Sequence, residues 1–378
     1  MSNKFNCKKC DHEGTVILRK KDAYCKECFV TNINHKFRAS IGKNKILFPN
    51  ENVLICLSGG LGSITLLELI KSAISLDNHK KLRISPIFFH VIGMGNEDED
   101  LVIAKHIITQ CNATGFNIYL THISEYTRPN KINLIINDIP EVNKNAKLQL
   151  ESLLTEMHPS SLNDYLNKIK RDIFISCGSK LNCNYIFTAE TTSQLAVNLL
   201  SNLSLGRGSQ VQYDVGFCDS RNDIKVIRPL KDITYEELEK YIEIKELVPI
   251  KKQIVQNNSL QSVIQSFVND LQDNFPSTIS TVCKTAEKIG VQDNSNDLKC
   301  LFCESALGVG DDRLSALEAT NYSRTLSTGQ NTNSCLSLEK QSLFPYVDKY
   351  FCYSCSKNYC EINKTKVPDH IKEIINRI

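Results

Sequence analysis

No stretch of this sequence approaches the ~18 uninterrupted apolar residues that a membrane-spanning helix needs. The amino terminus, MSNKFNCKKCDHEG, is polar and lacks an apolar h-region, so a secretory signal is not expected there. A large excess of one charge is also missing. Lys and Arg number 45 against 42 Asp and Glu, a net +3 that permits nucleic-acid contact through a local patch without arguing for it. No internal repeat of fixed period is visible. The most telling gaps are local: no cysteine lies between Cys111 and Cys177, and none between Cys218 and Cys283.

What is present bounds the class. The 378 residues suffice for two to three domains at ~150 residues each. With 41% hydrophobic and 23% charged residues, the composition is that of a globular protein able to bury a core. The 16 cysteines are the oddity. Where no secretion signal is seen, thiols are expected to serve metals or chemistry rather than disulfides.

Residues 50–250 alternate strands and helices. Val53–Leu57 is an apolar run fit for a buried strand, followed by helical spacing from Ile64 to Leu76. Further strands are expected at Ile84–Val91, Ile118–His122, Tyr185–Phe187 and Lys225–Ile227. Helices are expected at Asp100–Ala113, Asp164–Leu181 and Gln194–Leu203. Thr234 and Glu237 form a capping box for a helix running to Glu246. This alternation predicts an α/β fold with a doubly wound parallel sheet. The expected divisions are an N-terminal zinc ribbon over 1–35, an α/β domain over 36–255, and a helical segment with a second ribbon over 256–378. Residues 310–342, rich in Ser, Thr and Asn, read as a flexible insertion.

Cys7-x-x-Cys10, fourteen residues, then Cys25-x-x-Cys28 is the spacing of a four-thiolate zinc ribbon. A segment this short buries too little apolar surface alone, and zinc supplies the missing folding energy. A second set, Cys300-x-x-Cys303 and Cys352-x-x-Cys355, is split by 48 residues, most of them in the insertion. Loop closure grows by only about 0.6 kcal/mol per doubling of length, so a shared site remains open to them. Cys360 is near enough to be an alternative ligand. Four thiolates leave no open coordination position, so both zincs are expected to be structural.

Ser58-Gly59-Gly60-Leu61-Gly62-Ser63 follows a strand and opens a helix, as a phosphate-cradling turn does. A tight turn using glycine only for geometry is the competing reading. Ser58, Gly59, Gly60 and Ser63 are the candidate nucleotide contacts.

Ser-Gly-Gly-x-x-Ser resembles the PP-loop of the ATP pyrophosphatases, which include tRNA thiolases. Thr188-Ala189-Glu190-Thr191 stands where thiolases carry Thr-Gly-His-Asn. Leu199–Leu203 with Gly206-Arg207-Gly208, and Ile227-Arg228-Pro229-Leu230, resemble the elements that follow in them. With two flanking ribbons, the chain is similar to the non-catalytic paralogue branch of the tRNA 2-thiolation proteins. The resemblance implies a cytoplasmic complex, a heterodimer with a catalytic PP-loop thiolase paralogue. It also implies tRNA as substrate, a ubiquitin-like sulfur carrier upstream, and no membrane.

Departures from the catalytic pattern carry as much weight. Gly62 replaces the loop aspartate and Glu190 the histidine, which leaves ATP a weak expectation for this subunit. Active members hold the transferred sulfur on a cysteine upstream of a basic pair. With Lys170-Arg171 as that pair, Asn163 and Leu166 occupy the cysteine positions, and no cysteine stands near Val248–Lys252 for the second. Hydroxyl and amide groups cannot carry sulfur, so no catalytic residue is assigned. Cys56, Cys111, Cys177 and Cys183 read as small core hydrophobes, and Cys218 as a loop residue. Two alternatives remain: an active sulfurtransferase with displaced groups, or a zinc-ribbon RNA-binding protein unrelated to thiolation.

Lys8, Lys9, Arg19, Lys20, Lys21, Lys36 and Arg38 cluster about the first ribbon. They are either a solvated face or a phosphate grip, and the resemblance favours the grip. Charge reversal at Lys20, Lys21 and Arg38 is expected to weaken tRNA retention by the complex. Binding unchanged across a salt titration would remove RNA contact from these residues.

Overall fold

The computed structural model describes residues 6–18, 22–76, 81–250, 258–289, 298–305 and 350–363, with isolated positions between and after them. The chain opens with an antiparallel hairpin, β1 (Val16–Leu18) and β2 (Asp22–Tyr24), that runs into helix α1 (Lys26–Asn44). Phe29, Ile33, Phe37 and Ile41 recur at helical spacing and bury one face of α1 in the main core. The helix crosses residue 35 without a break, and Ser40 Oγ donates to Pro229 O at 2.9 Å. Residues on both sides of the expected boundary therefore share one helix. The expected boundary at 255 lies outside the described residues, as does nearly all of 310–342.

The central sheet has seven strands. In chain order they are β3 (Glu51–Cys56), β4 (Ile84–Ile92), β5 (Ile118–His122), β6 (Ile135–Ile136), β7 (Tyr185–Phe187), β8 (Cys218–Asp219) and β9 (Lys225–Ile227). Their spatial order is β6-β5-β4-β3-β7-β9-β8, with the inner five parallel. β3 is covered on both faces from Val53 onward, which is why Val53 to Cys56 are continuously apolar rather than alternating. Val53, Leu54 and Ile55 are all fully buried. The edge strands β6 and β8 run antiparallel. They are too short to leave a periodic signal, and Cys218, read as a loop residue, begins β8.

Helices α2 (Leu61–Ile74), α3 (Glu97–Ala113) and α8 (Tyr235–Lys245) pack with α1 on one face, where they share a core with that side of the sheet. The opposite face takes α4 (Lys144–Leu154) and α5 (Pro159–Lys180). Both halves of the capping box at Thr234 and Glu237 form. α6 (Thr192–Ser204) and α7 (Val211–Val215) build a separate small core with α9 (Leu260–Asn274) and α10 (Pro276–Lys288). The last described helix, α11 (Tyr353–Glu361), lies against α5.

The far edge of the sheet is closed by charge. Asp219, 2% exposed, accepts from Arg221 Nη2 at 2.7 Å and pairs with Arg171 Nη1 at 3.0 Å. Burial pushes its pKa up, but Arg221 and then Arg171 outweigh burial and hold it well below the usual carboxylate range. A depressed pKa stabilises the fold above the unfolded value near ~3.9 and loses that contribution as pH falls through the native value. Asp219→Asn would take from Arg171 its ion pair and leave Arg221 with Asp214 alone. It is expected to cost about 3–5 kcal/mol at neutral pH and to flatten the acid limb of stability below pH ~4. Urea midpoints measured across pH check both.

Candidate functional site

In a doubly wound sheet, ligands sit beyond the carboxyl ends of the strands where the winding reverses. Here that point lies between β3 and β7, and two loops meet there. The turn after β3 holds Ser58, which is exposed, and Gly59, whose φ of +78° favours glycine. Gly60 is the N-cap of α2 and offers no side-chain cap. Ser63 Oγ donates back to Gly60 O at 3.0 Å. Uncapped N–H groups at the start of a 14-residue helix leave a positive pole facing the crevice.

The loop after β7 comes down on this turn. A Cβ built at Gly62 would lie 2.5 Å from the carbonyl oxygen of Ala189, so position 62 has no room for the aspartate of the active pattern. Glu190, in the histidine's place, is fully engaged. It pairs with Arg228 Nε at 2.8 Å, accepts from Asn198 Nδ2 at 3.0 Å, and accepts from Thr188 Oγ1 at 3.0 Å. Burial pushes its pKa up, but Arg228 and Lys170 win and hold the carboxylate ionised. The cations near the crevice thus already face an internal carboxylate.

The structure contains no accessible thiol near this turn among the described residues. Asn163 lies on the first turns of α5, and its Nδ2 donates to Ser259 Oγ at 3.0 Å. Leu166 packs against the core beneath α5. Cys56, Cys111, Cys177 and Cys183 are buried, and burial raises Cys177 to about 12 and Cys183 to about 11. Cys218 is half-buried, three strands from β3 and so about 14 Å away at ~4.8 Å per strand. It lines a cleft of about 550 Å³ with Lys43, Gln212 and Lys231.

Eight of the remaining cysteines form two clusters. The sulfurs of Cys7, Cys10, Cys25 and Cys28 all lie within 4.8 Å of one another, as do those of Cys300, Cys303, Cys352 and Cys355. Cys10 Sγ is 3.7 Å from Cys25 Sγ and 3.6 Å from Cys28 Sγ, and Cys303 Sγ is 3.6 Å from Cys352 Sγ. Four thiolates ~2.3 Å from one tetrahedral ion stand ~3.8 Å apart, so both sets can hold a single metal ion. In each, the second Cys-x-x-Cys pair begins a helix: Cys25 caps α1 and Cys352 caps α11. Helix N-termini favour thiolates, a feature the spacing alone did not reveal. Cys360 is exposed and outside the set.

The first cluster's cations are partly spoken for. Lys8 pairs with Asp22, Lys9 Nζ reaches Asn32 Oδ1 at 3.3 Å, and Lys36 Nζ pairs with Glu237 at 2.6 Å. Arg38 Nε donates to Asn34 O within its own helix at 3.2 Å, while Arg19, Lys20 and Lys21 lie outside the described residues. Two residues that sequence reasoning left without a role stand out at the second cluster. Arg207 Nη2 points at Cys355 Sγ at 3.7 Å, and Asp164 holds Arg207 through both carboxylate oxygens at 2.6 and 2.8 Å. Arg207 belongs to the Gly206-Arg207-Gly208 motif, and nothing in the sequence pairs it with a residue 43 positions earlier.

A sequence profile of the family described as cytoplasmic tRNA 2-thiolation protein 2 matches residues 259–357. The chain is 31% identical over 336 residues to the protein of that name from Anopheles gambiae, covering 86% of this chain and 80% of that one. Against the Drosophila melanogaster protein of the same name, identity is 33% over 337 residues, covering 85% and 81%. Among solved structures, the U34-tRNA thiolase NcsA from Methanococcus maripaludis, which carries a 4Fe-4S cluster, superposes with a TM-score of 0.58. Identity there is 19%, and coverage is 79% of this chain and 93% of that one. The chain therefore shares the fold of that thiolase, and it carries two tetracysteine clusters.

The contact at Gly62 makes a direct prediction. Gly62→Ala is expected to lower stability by about 1–3 kcal/mol, because a backbone carbonyl must move to admit one methyl group. Gly62→Asp should cost more and should not create ATP binding. Urea unfolding and isothermal titration with Mg-ATP measure the two effects.

Proposed function

The chain belongs to the cytoplasmic tRNA 2-thiolation protein 2 family, and on that premise we propose that it is the non-catalytic subunit of the complex that thiolates wobble uridine. Its partner in this reading is a cysteine-bearing PP-loop thiolase paralogue, the complex works in the cytoplasm, and sulfur arrives from a ubiquitin-like carrier. The observation that carries the proposal is the side chain at position 163. Where a catalytic relative holds a sulfur-bearing cysteine, this chain has an asparagine already bonded to Ser259. Thiolation needs a thiolate or persulfide to displace the activated oxygen, and no accessible thiol stands in its place.

The closed approach of Ala189 to Gly62, and the Glu190–Arg228 pair, support a subunit that contributes no ATP chemistry. Ser58, Gly59, Gly60 and Ser63 then serve as the turn between β3 and α2, and their backbone pole is a remnant of a phosphate site. The two tetracysteine sets are proposed as structural zinc sites. Sulfurs this close suit one ion, whereas the thiolates of a four-iron cluster bind four separate metal atoms and stand farther apart. The domains expected at 1–35, 36–255 and 256–378 are proposed to act as one scaffold, with tRNA held beside the first ribbon.

The experiment is 2-thiouridine formation on unmodified tRNA, by this chain alone and with its cysteine-bearing paralogue. Product only from the pair is expected. Product from this chain alone would overturn the proposal and turn attention to Cys218, the half-buried thiol.

A further inference from the structure

The stretch of α5 that would carry the catalytic cysteine is in contact with the carboxyl-terminal third of the chain. Asn163 bonds to Ser259, the N-cap of α9. Its neighbour Asp164 is a hub of four further donors. Besides the two guanidinium nitrogens of Arg207, it accepts from Asn358 Nδ2 at 2.6 Å and from Ser354 Oγ at 3.3 Å. Ser354 and Asn358 belong to α11, the helix that begins at the cluster cysteine Cys352. Arg207 in turn spans the gap, with Asp164 on one side and the sulfur of Cys355 on the other. Asp164 and Arg207 side chains are each 10% exposed, so the bridge is shielded from water.

A tetrathiolate around a dication carries a formal charge of −2, and sulfur with that much charge is basic and prone to protonation or loss of metal. A guanidinium N–H aimed at a ligand sulfur withdraws part of that charge, and groups one shell out from the ligands commonly change metal affinity ~10–100-fold. A buried guanidinium must itself be held and neutralised, which the bidentate carboxylate does. The geometry points to Arg207 as the outer-shell partner of the second metal site, with Asp164 as its positioning residue, so that metal retention and docking of the C-terminal module on α5 form one coupled equilibrium. The inference rests on the reading of Cys300, Cys303, Cys352 and Cys355 as a metal site. Among the described residues no guanidinium reaches the first cluster: its sulfurs receive Lys9 N–H at 3.5 Å and Cys28 N–H at 3.4 Å, and lie 3.4 Å from His12 Nδ1. It therefore serves as an internal control.

The test uses the full chain loaded with zinc. Total metal is counted by mass spectrometry, and release to a chromogenic chelator is followed in time. A companion protein with Cys7→Ser and Cys10→Ser identifies which phase belongs to the second site. Two ions per chain are expected, and Arg207→Lys and Asp164→Asn should each speed release from the second site by ~10–100-fold while leaving the first unchanged. Lysine keeps the charge and the fold but cannot bridge a carboxylate and a sulfur with one planar fork. In the cobalt-loaded protein, the thiolate-to-metal absorption should shift in Arg207→Lys, which a merely structural loss of packing would not do. Removing metal from wild type should raise amide exchange over residues 159–170. Unchanged release and an unshifted band in both variants would overturn the outer-shell role. One ion per chain, held by the first cluster, would overturn the metal reading beneath it.

Discussion

A carboxylate taken out of water must be met by hydrogen-bond donors, and Asp164 gathers four of them from two distant segments. Much of the arrangement on that side of the sheet depends on it. α5 supplies the carboxylate, the turn after α6 supplies Arg207, and α11 supplies Ser354 and Asn358. Aromatic packing follows the same seam. Phe302 stacks on Phe351 at 4.4 Å and meets Tyr165 edge-on at 6.2 Å, with Lys168 Nζ 5.6 Å from its centroid. The polar hub fixes which residues meet, and the rings supply the apolar burial that makes meeting favourable.

A similar balance of charge holds at the turn after β3. Phosphate sites collect positive charge, and a buried cation needs a counter-charge of its own. Glu190 provides it for Arg228 from inside the fold. With the crevice charge balanced, the loop after β7 can close against α2, and the absence of a side chain at Gly62 is what allows that approach.

Several elements were legible from residue order because their signals are local. β5, β7 and β9 form over the residues that apolar runs marked, and the α8 capping box forms with both of its bonds. α2, α3, α5 and α6 appear with ends moved by a few residues, where caps such as Asn96 and Thr191 set the start. The edge strands β6 and β8 were not legible, since two residues of ladder leave no periodicity. The eight clustered cysteines could be chosen from sixteen by Cys-x-x-Cys spacing alone.

Sequence by itself therefore determined the α/β class, the family resemblance and the candidate metal ligands. These follow from residue identity at fixed short spacings, which a linear chain records directly. Only the tertiary structure decided that α1 carries the first ribbon into the main core, that Ala189 fills the space above Gly62, and that Glu190 answers Arg228. It alone joined Asp164 to Arg207 and both to the second cluster. Those contacts link residues tens to hundreds of positions apart, and their partners are set by which faces the sheet brings together, a choice that no local pattern encodes.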